Sequence, residues 1–443
     1  MTLTLPRFIQ IHSLASYPAA LLNRDDSGMA KRLPFGGSTR TRISSQSLKR
    51  HWRFAGERTH EAAAAVPFSL QSLGLPMGER TKDIVHAVIL PGAVTLMADA
   101  TAPVHPQLLT AVGDALLVAL YGDKGKDPKS RQALFFGHPE VDYLITVAAG
   151  LLALATDSAG PLAPDAVLDK AGVKALDDAL KAPLTDVRKN LRALAGGAGL
   201  ESALFGRMVT SDTASNKEAP VHVAHAFTVH AMERDLDFAT AVDDLRDRDP
   251  AAHSGSAGMF DIELTSGLFY GYVNIDVTLL DANLGGDAVM AGQVISRLLQ
   301  LIARVSPGAK KGSTAPFAHA EWLMVEHGDD QPRTLANAFR KAIVMTGKDN
   351  DVFADSMQAL QVHLRQLDAA YGQQTQRAQM SVTPPALADL QTQSLAALVA
   401  WVQAALESST QSRAQQSTQQ SAALAQTSTA HPAVPQLSIV QGD

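Results

Sequence analysis

Alternation of apolar and polar residues along the chain predicts several short β-strands. The alternation extends over Phe8–His12, Pro220–Ala231 and Leu268–Leu279, with the period of two that sends successive side chains to opposite faces of a sheet. Leu323–Val325 is a further candidate strand. The stretch Ala15–Arg42 contains so many Pro and Gly residues that it is predicted to lack regular structure.

An amphipathic helix is predicted directly after that stretch. Ser44 or Ser45 can cap its first turn, and Leu48, Trp52 and Ala55 recur at the spacing of one helix face. The opposite face is polar and basic, and it is formed by Gln46, Lys49, Arg50 and Arg53. We therefore expect a helix with one buried side and one cationic side.

The remaining pattern places two insertions within a sheet domain. Residues 66–204 are rich in Ala and Leu and are predicted to be mostly helical, whereas Glu233–Ser266 is acidic and then glycine-rich, which favours a projecting loop or hairpin. Further helices are predicted at Asp287–Val305, Leu335–Met345, Asp351–Tyr371 and Leu387–Leu406. This order favours one α+β domain with two insertions over a string of separate domains.

Charge is distributed unevenly, although the formal net charge is −6. Residues 1–60 contain ten basic and three acidic residues, so this segment carries +7 and the remainder −13. A phosphate backbone responds to local charge, so the segment is a candidate nucleic-acid contact. The absence of cysteine excludes disulfides and thiolate metal sites, and neither a signal peptide nor a membrane span is expected. We expect a cytoplasmic protein.

The C-terminal stretch Ser408–Asp443 differs in composition from the rest of the chain. It is dominated by Gln, Ser, Thr and Ala, and its charged side chains are Arg413 and Asp443. Such a segment cannot bury enough apolar surface to offset the entropy of ordering it. We predict that it is a disordered tail.

A known family shares a series of motifs with this chain. The longest is the run from Phe35 to Arg50, FGGSTRTRISSQSLKR, which follows Leu22-Asn23-Arg24-Asp25-Asp26. Further blocks are Gly206-Arg207-Met208, Val223-Ala224-His225-Ala226, Ala241-Val242-Asp243-Asp244-Leu245, Ser266-Gly267-Leu268-Phe269-Tyr270, Asn283-Leu284-Gly285-Gly286, Pro307-Gly308-Ala309-Lys310 and Leu335-Ala336-Asn337-Ala338-Phe339. Together they resemble the CasC proteins, the repeated backbone subunits of type I-E CRISPR-Cascade surveillance complexes.

The resemblance implies the shape of a right hand. The palm would be an RRM-like (ferredoxin-like) sheet, with a helical fingers insertion and a β-hairpin thumb. The expected divisions are palm with an RNA-binding loop and helix at 1–65, fingers at 66–204, a palm strand region at 205–231, thumb at 232–268, the second part of the palm at 269–407 and the tail at 408–443. Copies of the chain would stack along a guide RNA, without catalysis and without a cofactor or metal.

The resemblance also implies which residues contact the guide RNA. By position these are Asn23, Arg24, Lys31, Ser44, Gln46, Lys49, Arg53, Met208 and Thr240. Arg40, Arg42 and Lys310 join them because a carrier that leaves base edges free must hold phosphates and sugars with cationic and small polar groups. Met208 could instead pack in the core, and Lys310 could contact a neighbouring subunit. Lys170 and Lys174 share a helix face and are candidate contacts to target DNA.

Several alternatives remain beside a guide-binding role. One hypothesis is that Asp25 or Asp26 cleaves target RNA, as an Asp in this region does in related type III backbone subunits. Another is that the chain is an assembly protein without RNA contact. His222 and His230 would share one face of their strand and His225 would point to the other, and no cysteine or further ligand set accompanies them, so no metal site is expected. The partners implied are the guide RNA, a target DNA strand, further copies of the chain and the other Cascade subunits, with no membrane involved.

Overall fold

The chain folds around a long antiparallel sheet. The computed structural model describes residues 6–55, 66–97, 103–160, 162–163, 166–194, 196–242, 256–345, 347, 351–373, 375–384 and 386–407. The strands are β1 (Phe8–Ala20), β2 (Arg32–Phe35), β3 (Ser38–Ile43), β4 (Gly78–Thr81), β5 (Leu134–Gly137), β6 (Val221–Val223), β7 (Ala226–Thr228), β8 (Glu233–Val242), β9 (Ser256–Asp276), β10 (Trp322–Gly328) and β11 (Gln376–Ser381).

Helices cover both faces of this sheet and form the fingers. They are α1 (Ser45–Arg53), α2 (Leu90–Leu96), α3 (Pro106–Tyr121), α4 (His138–Ala159), α5 (Lys170–Leu184), α6 (Val187–Ala193), α7 (Gly199–Phe205), α8 (Val277–Asn283), α9 (Ala288–Arg304), α10 (Lys311–Thr314), α11 (Val352–Tyr371) and α12 (Leu395–Glu407). A π-helical turn, Val85–Ile89, precedes α2, and short 3₁₀ turns lie at Gln71–Leu73, Asp123–Lys126, Thr213–Ser215 and Ala336–Phe339.

The palm sheet has the strand order expected of an RRM-like fold. Its path is β11-β10-β1-β9-β7-β3-β2, with β6 and β8 also paired to β9, and β1 lies between β9 and β10. Ile11 on one face of β1 packs with Trp52 of α1 and Leu298 of α9, while Leu14 on the other face packs with Met357 of α11. The α+β fold predicted from the pattern is confirmed.

A hairpin occupies the stretch predicted to lack regular structure. β1 continues to Ala20, and β2 and β3 are joined by the two-residue turn Gly36-Gly37, so that prediction is wrong. Both glycines have positive φ (60° and 82°), a combination that other residues rarely adopt. A Cβ atom at Gly36 would also collide with the carbonyl oxygen of Arg340.

The fingers have a hydrophobic core of their own, separate from the core clusters of the palm. Leu116 of α3, Leu144 and Leu151 of α4 and Leu180 of α5 are buried in it. By length and composition α4 could span a membrane, the one such helix among the described residues, but its apolar side chains are used in this core. The helical prediction for this region is confirmed.

The thumb is a hairpin of β8 and β9. Its strands pair from the base, where Glu233 lies opposite Ser266, to Val242, which lies opposite Ser256. Residues 243–255 lie outside the described part of the chain. β9 continues without interruption into the palm sheet as far as Asp276, whose carboxylate caps α8. The thumb therefore extends directly from a central palm strand.

Two predictions in the C-terminal half differ from the structure, and one strand there was not predicted. The helix predicted at Leu335–Met345 is only a 3₁₀ turn at Ala336–Phe339, because Ile343 instead bridges to His230. α12 begins at Leu395 rather than Leu387, since Leu387 packs in the palm core beside α11. Strand β11 was not predicted. The predicted tail lies outside the described residues.

Candidate nucleic-acid interface

A cationic groove lies between α1 of the palm and the fingers. It has a volume of about 640 Å³, and we call it the basic groove. Its polar and charged lining residues are Gln46, Lys49, Arg50, Arg53, Arg80, Gln132, Arg207 and Lys217, and its apolar ones include Phe54, Phe135, Phe205 and Met208. None of the described residues that line it is Asp or Glu, so the groove is suited to a polyanion.

The position of α1 is fixed at its N-terminus by two hydrogen bonds. The backbone N–H of Ser47 donates to Ser44 Oγ (3.3 Å), which confirms Ser44 as the cap. The backbone N–H of Ser44 donates to Asn23 Oδ1 (2.9 Å), tying the loop that contains Asn23 to the helix. Asn23 is thus oriented by the helix that lines the basic groove.

Lys49 and Gln46 lie on the groove side of α1. Gln46 is exposed, and Lys49 is half-buried with its Nζ 5.2 Å from the centre of the Phe205 ring. Burial lowers the pKa of Lys49 from its ordinary value. A cation that is partly stripped of water and held over an aromatic ring is more easily desolvated by an incoming phosphate.

Arg53 does not lie on an open polar face as the helix pattern predicted. Its guanidinium packs 4.4 Å from the ring centre of Phe135, and its Nη2 is 3.6 Å from Glu201 Oε1, with 11% and 3% of the two side chains exposed. Burial lowers the pKa of Arg53 and raises that of Glu201, while the charge of each partner opposes the shift of the other. Arg53 reaches the groove wall but is largely held by Glu201.

Arg40 is a structural residue, and the prediction that it contacts RNA is wrong. Its side chain is completely buried, and it donates to the carbonyl oxygens of Thr228 (2.9 Å), His230 (3.4 Å) and Phe339 (2.9 Å). Burial lowers its pKa. Arg40 therefore holds β3 against β7 and the 3₁₀ turn, and a phosphate at the surface cannot reach it.

A second depression, the loop pocket, lies on the other side of α1. It has a volume of about 530 Å³ and is lined by Leu22, Asn23, Arg24, Asp25, Asp26, Gly28, Ser47, His51, Gly308 and Ala309. Arg24 is exposed there, and Lys31 is joined to Asn23 through its backbone N–H (2.9 Å). Lys310 follows Ala309, whose N–H donates to the carbonyl of Leu21 (2.8 Å).

Arg42 connects this loop to the neighbouring strands. Its Nε donates to the carbonyl of Arg32 (3.2 Å), and its Nη1 lies 3.0 Å from Nδ1 of His225. The structure thus brings Asn23, Arg24, Lys31 and Arg42 together around one loop, with Ser44 beside them.

Met208 is exposed at the edge of the basic groove. About 66% of its surface is accessible, and its carbonyl accepts a hydrogen bond from Gln132 Nε2 (2.9 Å). The alternative of core packing is therefore wrong. A flexible apolar side chain in a cationic groove can contact a base or a sugar.

Comparison with known proteins identifies the family. The sequence model of the family described as "CT1975-like protein" matches residues 9–408. The chain belongs to this family. The assignment confirms the resemblance to CasC proteins that the sequence motifs indicate. No match is found among curated proteins.

Solved structures show the same fold as this CT1975-like protein. A chain of a "CRISPR RNA-guided surveillance complex, pre-nicking" is 26% identical, with a TM-score of 0.68, and the match covers 90% of this chain and 100% of that chain. A chain of a "CRISPR RNA-guided surveillance complex" is 22% identical, with a TM-score of 0.58, over 89% of this chain and 99% of that chain.

The remaining predicted contacts of the CT1975-like protein lie apart from the basic groove. Thr240 is in β8 of the thumb, opposite Met259, and its side chain lies outside the described part. Lys170 and Lys174 are exposed at the start of α5 in the fingers. Neither lysine lines the groove, so their proposed contact with DNA involves a different surface.

Sequence reasoning missed three groups at the interface. His51 Nδ1 lies 2.7 Å from the carbonyl of Ser47, and its Nε2 accepts from the N–H of Gly308 (3.3 Å), holding that loop against α1. Arg207 Nη1 donates to both carboxylate oxygens of buried Glu140 (2.8 Å each) beneath the groove. Arg80 comes from β4. Only Arg207 lay within a family motif, and nothing in the sequence indicated its partner.

Among the residues that the structure describes, no three His, Cys, Asp or Glu side chains are grouped as a metal site would require.

Proposed function

We propose that this CT1975-like protein is the guide-RNA-binding backbone subunit of a type I-E Cascade complex. It holds the sugar-phosphate backbone and presents the bases for pairing with a target DNA strand. The observation that carries the proposal is the basic groove, whose described lining has six cationic side chains and no carboxylate. The similar chain from a solved CRISPR RNA-guided surveillance complex adds support.

The chemistry of the groove suits a backbone contact rather than base recognition. Lys49, Arg50 and Lys217 offer cations, and Gln46 offers an amide, which are the groups that bind phosphate and sugar oxygens. Sequence would then be read by base pairing alone, as a guide-carrying complex requires. Exposed Met208 gives a contact that does not depend on base identity.

The loop around Asn23 extends the binding surface past the N-terminus of α1. The positive end of the helix dipole and the cations of Arg24, Lys31 and Arg42 favour the next phosphates of the same strand. Lys310 lies on the same side, next to the loop pocket. The RNA would thus pass along α1 from the basic groove to this loop.

Assembly along the guide is the second part of the proposal. Successive copies would stack side by side, with each thumb reaching the adjacent copy and other Cascade subunits closing the ends. The exposed Phe238 (62%) and Leu236 (54%) on the thumb are suited to such a contact. The complex would act in antiviral defence in the cytoplasm, and the chain would carry no catalytic group.

Binding of a single-stranded guide RNA to substituted chains tests the role of the groove. Gln46→Ala with Lys49→Gln should raise the Kd about tenfold at low salt, since a charge-assisted hydrogen bond is lost. The slope of log K against log salt should fall in magnitude by about 0.7, the value for one phosphate contact to a single strand. Lys181→Gln, on an exposed lysine paired with Asp178, is the control. An unchanged Kd and slope would exclude the groove.

Cleavage of target RNA by Asp25 or Asp26 is the alternative. Asp25 has less freedom for catalysis because its Oδ1 already accepts from the N–H groups of Ser27 and Met29 (3.0 Å each), closing the loop. Asp26 lines the loop pocket beside Asp25. Target RNA incubated with the assembled protein and Mg²⁺ should remain intact. Specific cuts that disappear on Asp26→Asn would favour the nuclease.

A further inference from the structure

A buried carboxylate contacts two arginine side chains where the thumb meets the palm. Glu263 of β9 has no exposed side-chain surface, and its Oε2 accepts from the backbone N–H of Ala30 at 2.6 Å. Its Oε1 lies 3.5 Å from Arg32 Nη2 and 3.6 Å from Arg234 Nη1. The pair therefore lies beside the loop that contains Asn23, Arg24 and Lys31.

Glu263 holds the two guanidinium groups without using up their hydrogen-bonding capacity. Both contacts are longer than the 2.7–2.9 Å or so of a charge-assisted hydrogen bond. Each guanidinium has about five N–H donors, and 41% of the Arg32 side chain and 51% of the Arg234 side chain are exposed. Since both nitrogens contact one oxygen, they are at most about 7 Å apart, a separation that one phosphate group can bridge.

The alternation of β8 separates this pair from the acidic residues of the thumb. Glu233, Asp235 and Asp237 point to the face opposite that of Arg234, because successive side chains of a strand alternate. Asp261 lies on the same face as Arg234, but it pairs with Phe238. Phe238 is four residues, or about 13 Å, along β8 from Arg234. The three side chains Arg32, Arg234 and Glu263 together carry one net positive charge.

We propose that Arg32 and Arg234 form a phosphate-binding pair at the base of the thumb. The ligand class is the phosphodiester backbone of single-stranded RNA, and the inference rests on the proposed function. Glu263 is a positioning residue, because its buried charge holds together two guanidiniums that would otherwise repel each other. The RNA that leaves the Asn23–Lys31 loop would place one phosphate between them.

The pair can be tested in the full chain by substituting both arginines with neutral residues and, separately, with other cationic residues. Arg32→Gln with Arg234→Gln should raise the Kd for a single-stranded guide RNA about tenfold at low salt. It should also lower the magnitude of the salt slope by about 0.7. Arg32→Lys with Arg234→Lys should restore the slope. Arg365→Gln, an exposed arginine paired with Asp389, should change neither quantity. An unchanged slope in the double Gln variant would overturn the proposal.

Cross-linking at an RNA concentration that saturates both variants gives a readout of proximity rather than of affinity. The chain has no cysteine, so Arg234→Cys provides a single attachment point for a photoreactive maleimide. Illumination with bound guide RNA should cross-link this variant well above Arg365→Cys, and equal yields would contradict the site.

The two proposals can fail separately. In one case the parent binds RNA and the Gln46/Lys49 variant binds it more weakly. If both Arg32/Arg234 experiments then show no effect, only the phosphate pair is excluded. If the parent does not bind RNA, the proposed function fails, and the pair fails with it.

Discussion

Arg53 and Glu201 form a buried ion pair that joins α1 to α7. Arg53 ends α1 and lines the basic groove, and Glu201 lies in α7, with 3.6 Å between Arg53 Nη2 and Glu201 Oε1. Arg53 Nε and Glu201 Oε2 are buried without a hydrogen-bond partner among the described residues. Arg53 therefore stabilises the groove in addition to any contact it makes with RNA.

Removal of one member of this pair should destabilise the fold. Arg53→Ala would leave the Glu201 carboxylate buried without its counter-charge, which typically costs about 3–5 kcal/mol. Lys49→Ala, on the same helix but without an ion pair among the described residues, should cost less than about 1 kcal/mol. Urea denaturation of both variants measures the difference, and equal free energies of unfolding would contradict the account.

Acidification should destabilise the palm through Glu326 and His12. Glu326 Oε1 lies 3.0 Å from His12 Nε2 and accepts from Arg333 Nη1 (2.7 Å), and its Oε2 accepts from Arg377 Nε (2.8 Å). Burial alone would raise the pKa of Glu326, but these hydrogen bonds and the charge of Arg333 hold it well below its ordinary value. Burial lowers the pKa of His12, so its neutral form is favoured in the fold.

The sign of the pH effect is the same for both groups. A pKa that is lower in the folded state gives stability at neutral pH that is lost as pH falls. The free energy of unfolding should begin to fall below about pH 6.5 as His12 of the unfolded chain takes a proton, and fall again below about pH 4.5 through Glu326. Urea denaturation between about pH 8 and 2.5 measures it, a range that covers both phases. His12→Gln should make the first part less steep without removing it, because the pKa values of other histidines such as His51 and His230 are lowered too, and a flat profile in the parent would contradict this prediction.

Deletion of Ser408–Asp443 should leave folding and RNA binding unchanged. The segment lacks a hydrophobic pattern, and the family match ends at residue 408. The melting temperature and the Kd for guide RNA should match those of the full chain. Loss of assembly in the shortened chain, seen by size-exclusion chromatography with RNA, would instead make the tail a partner site.

The features predicted correctly from the sequence depend on residues close together in the chain. The Ser44 cap and the amphipathic face of α1 need only the following helical turns, and the position of Gln46 and Lys49 on the polar side follows from that face. The Gly36-Gly37 turn is local too, but glycines in a run with several breakers also favour irregular structure, and only the two adjacent positive φ angles identify the hairpin.

The errors concern residues whose partners are distant in the chain. Arg40 is buried because Thr228 and Phe339, 188 and 299 residues away, supply carbonyl acceptors. Arg53 is held by Glu201, which sequence reasoning placed in a separate helical insertion. In the sequence, an arginine in a basic run that faces solvent cannot be told from one that faces buried oxygen atoms. Only the tertiary fold distinguishes the two.

The most direct test is whether the protein carries a guide. The chain would be produced together with a CRISPR array, purified, treated with nuclease, and its protected RNA sequenced. Small RNAs of guide sequence should be recovered, protected at regular intervals. The Gln46→Ala, Lys49→Gln variant should carry clearly less of this RNA than Lys181→Gln. Recovery of no protected RNA from the folded parent, or equal recovery from both variants, would contradict the central claim.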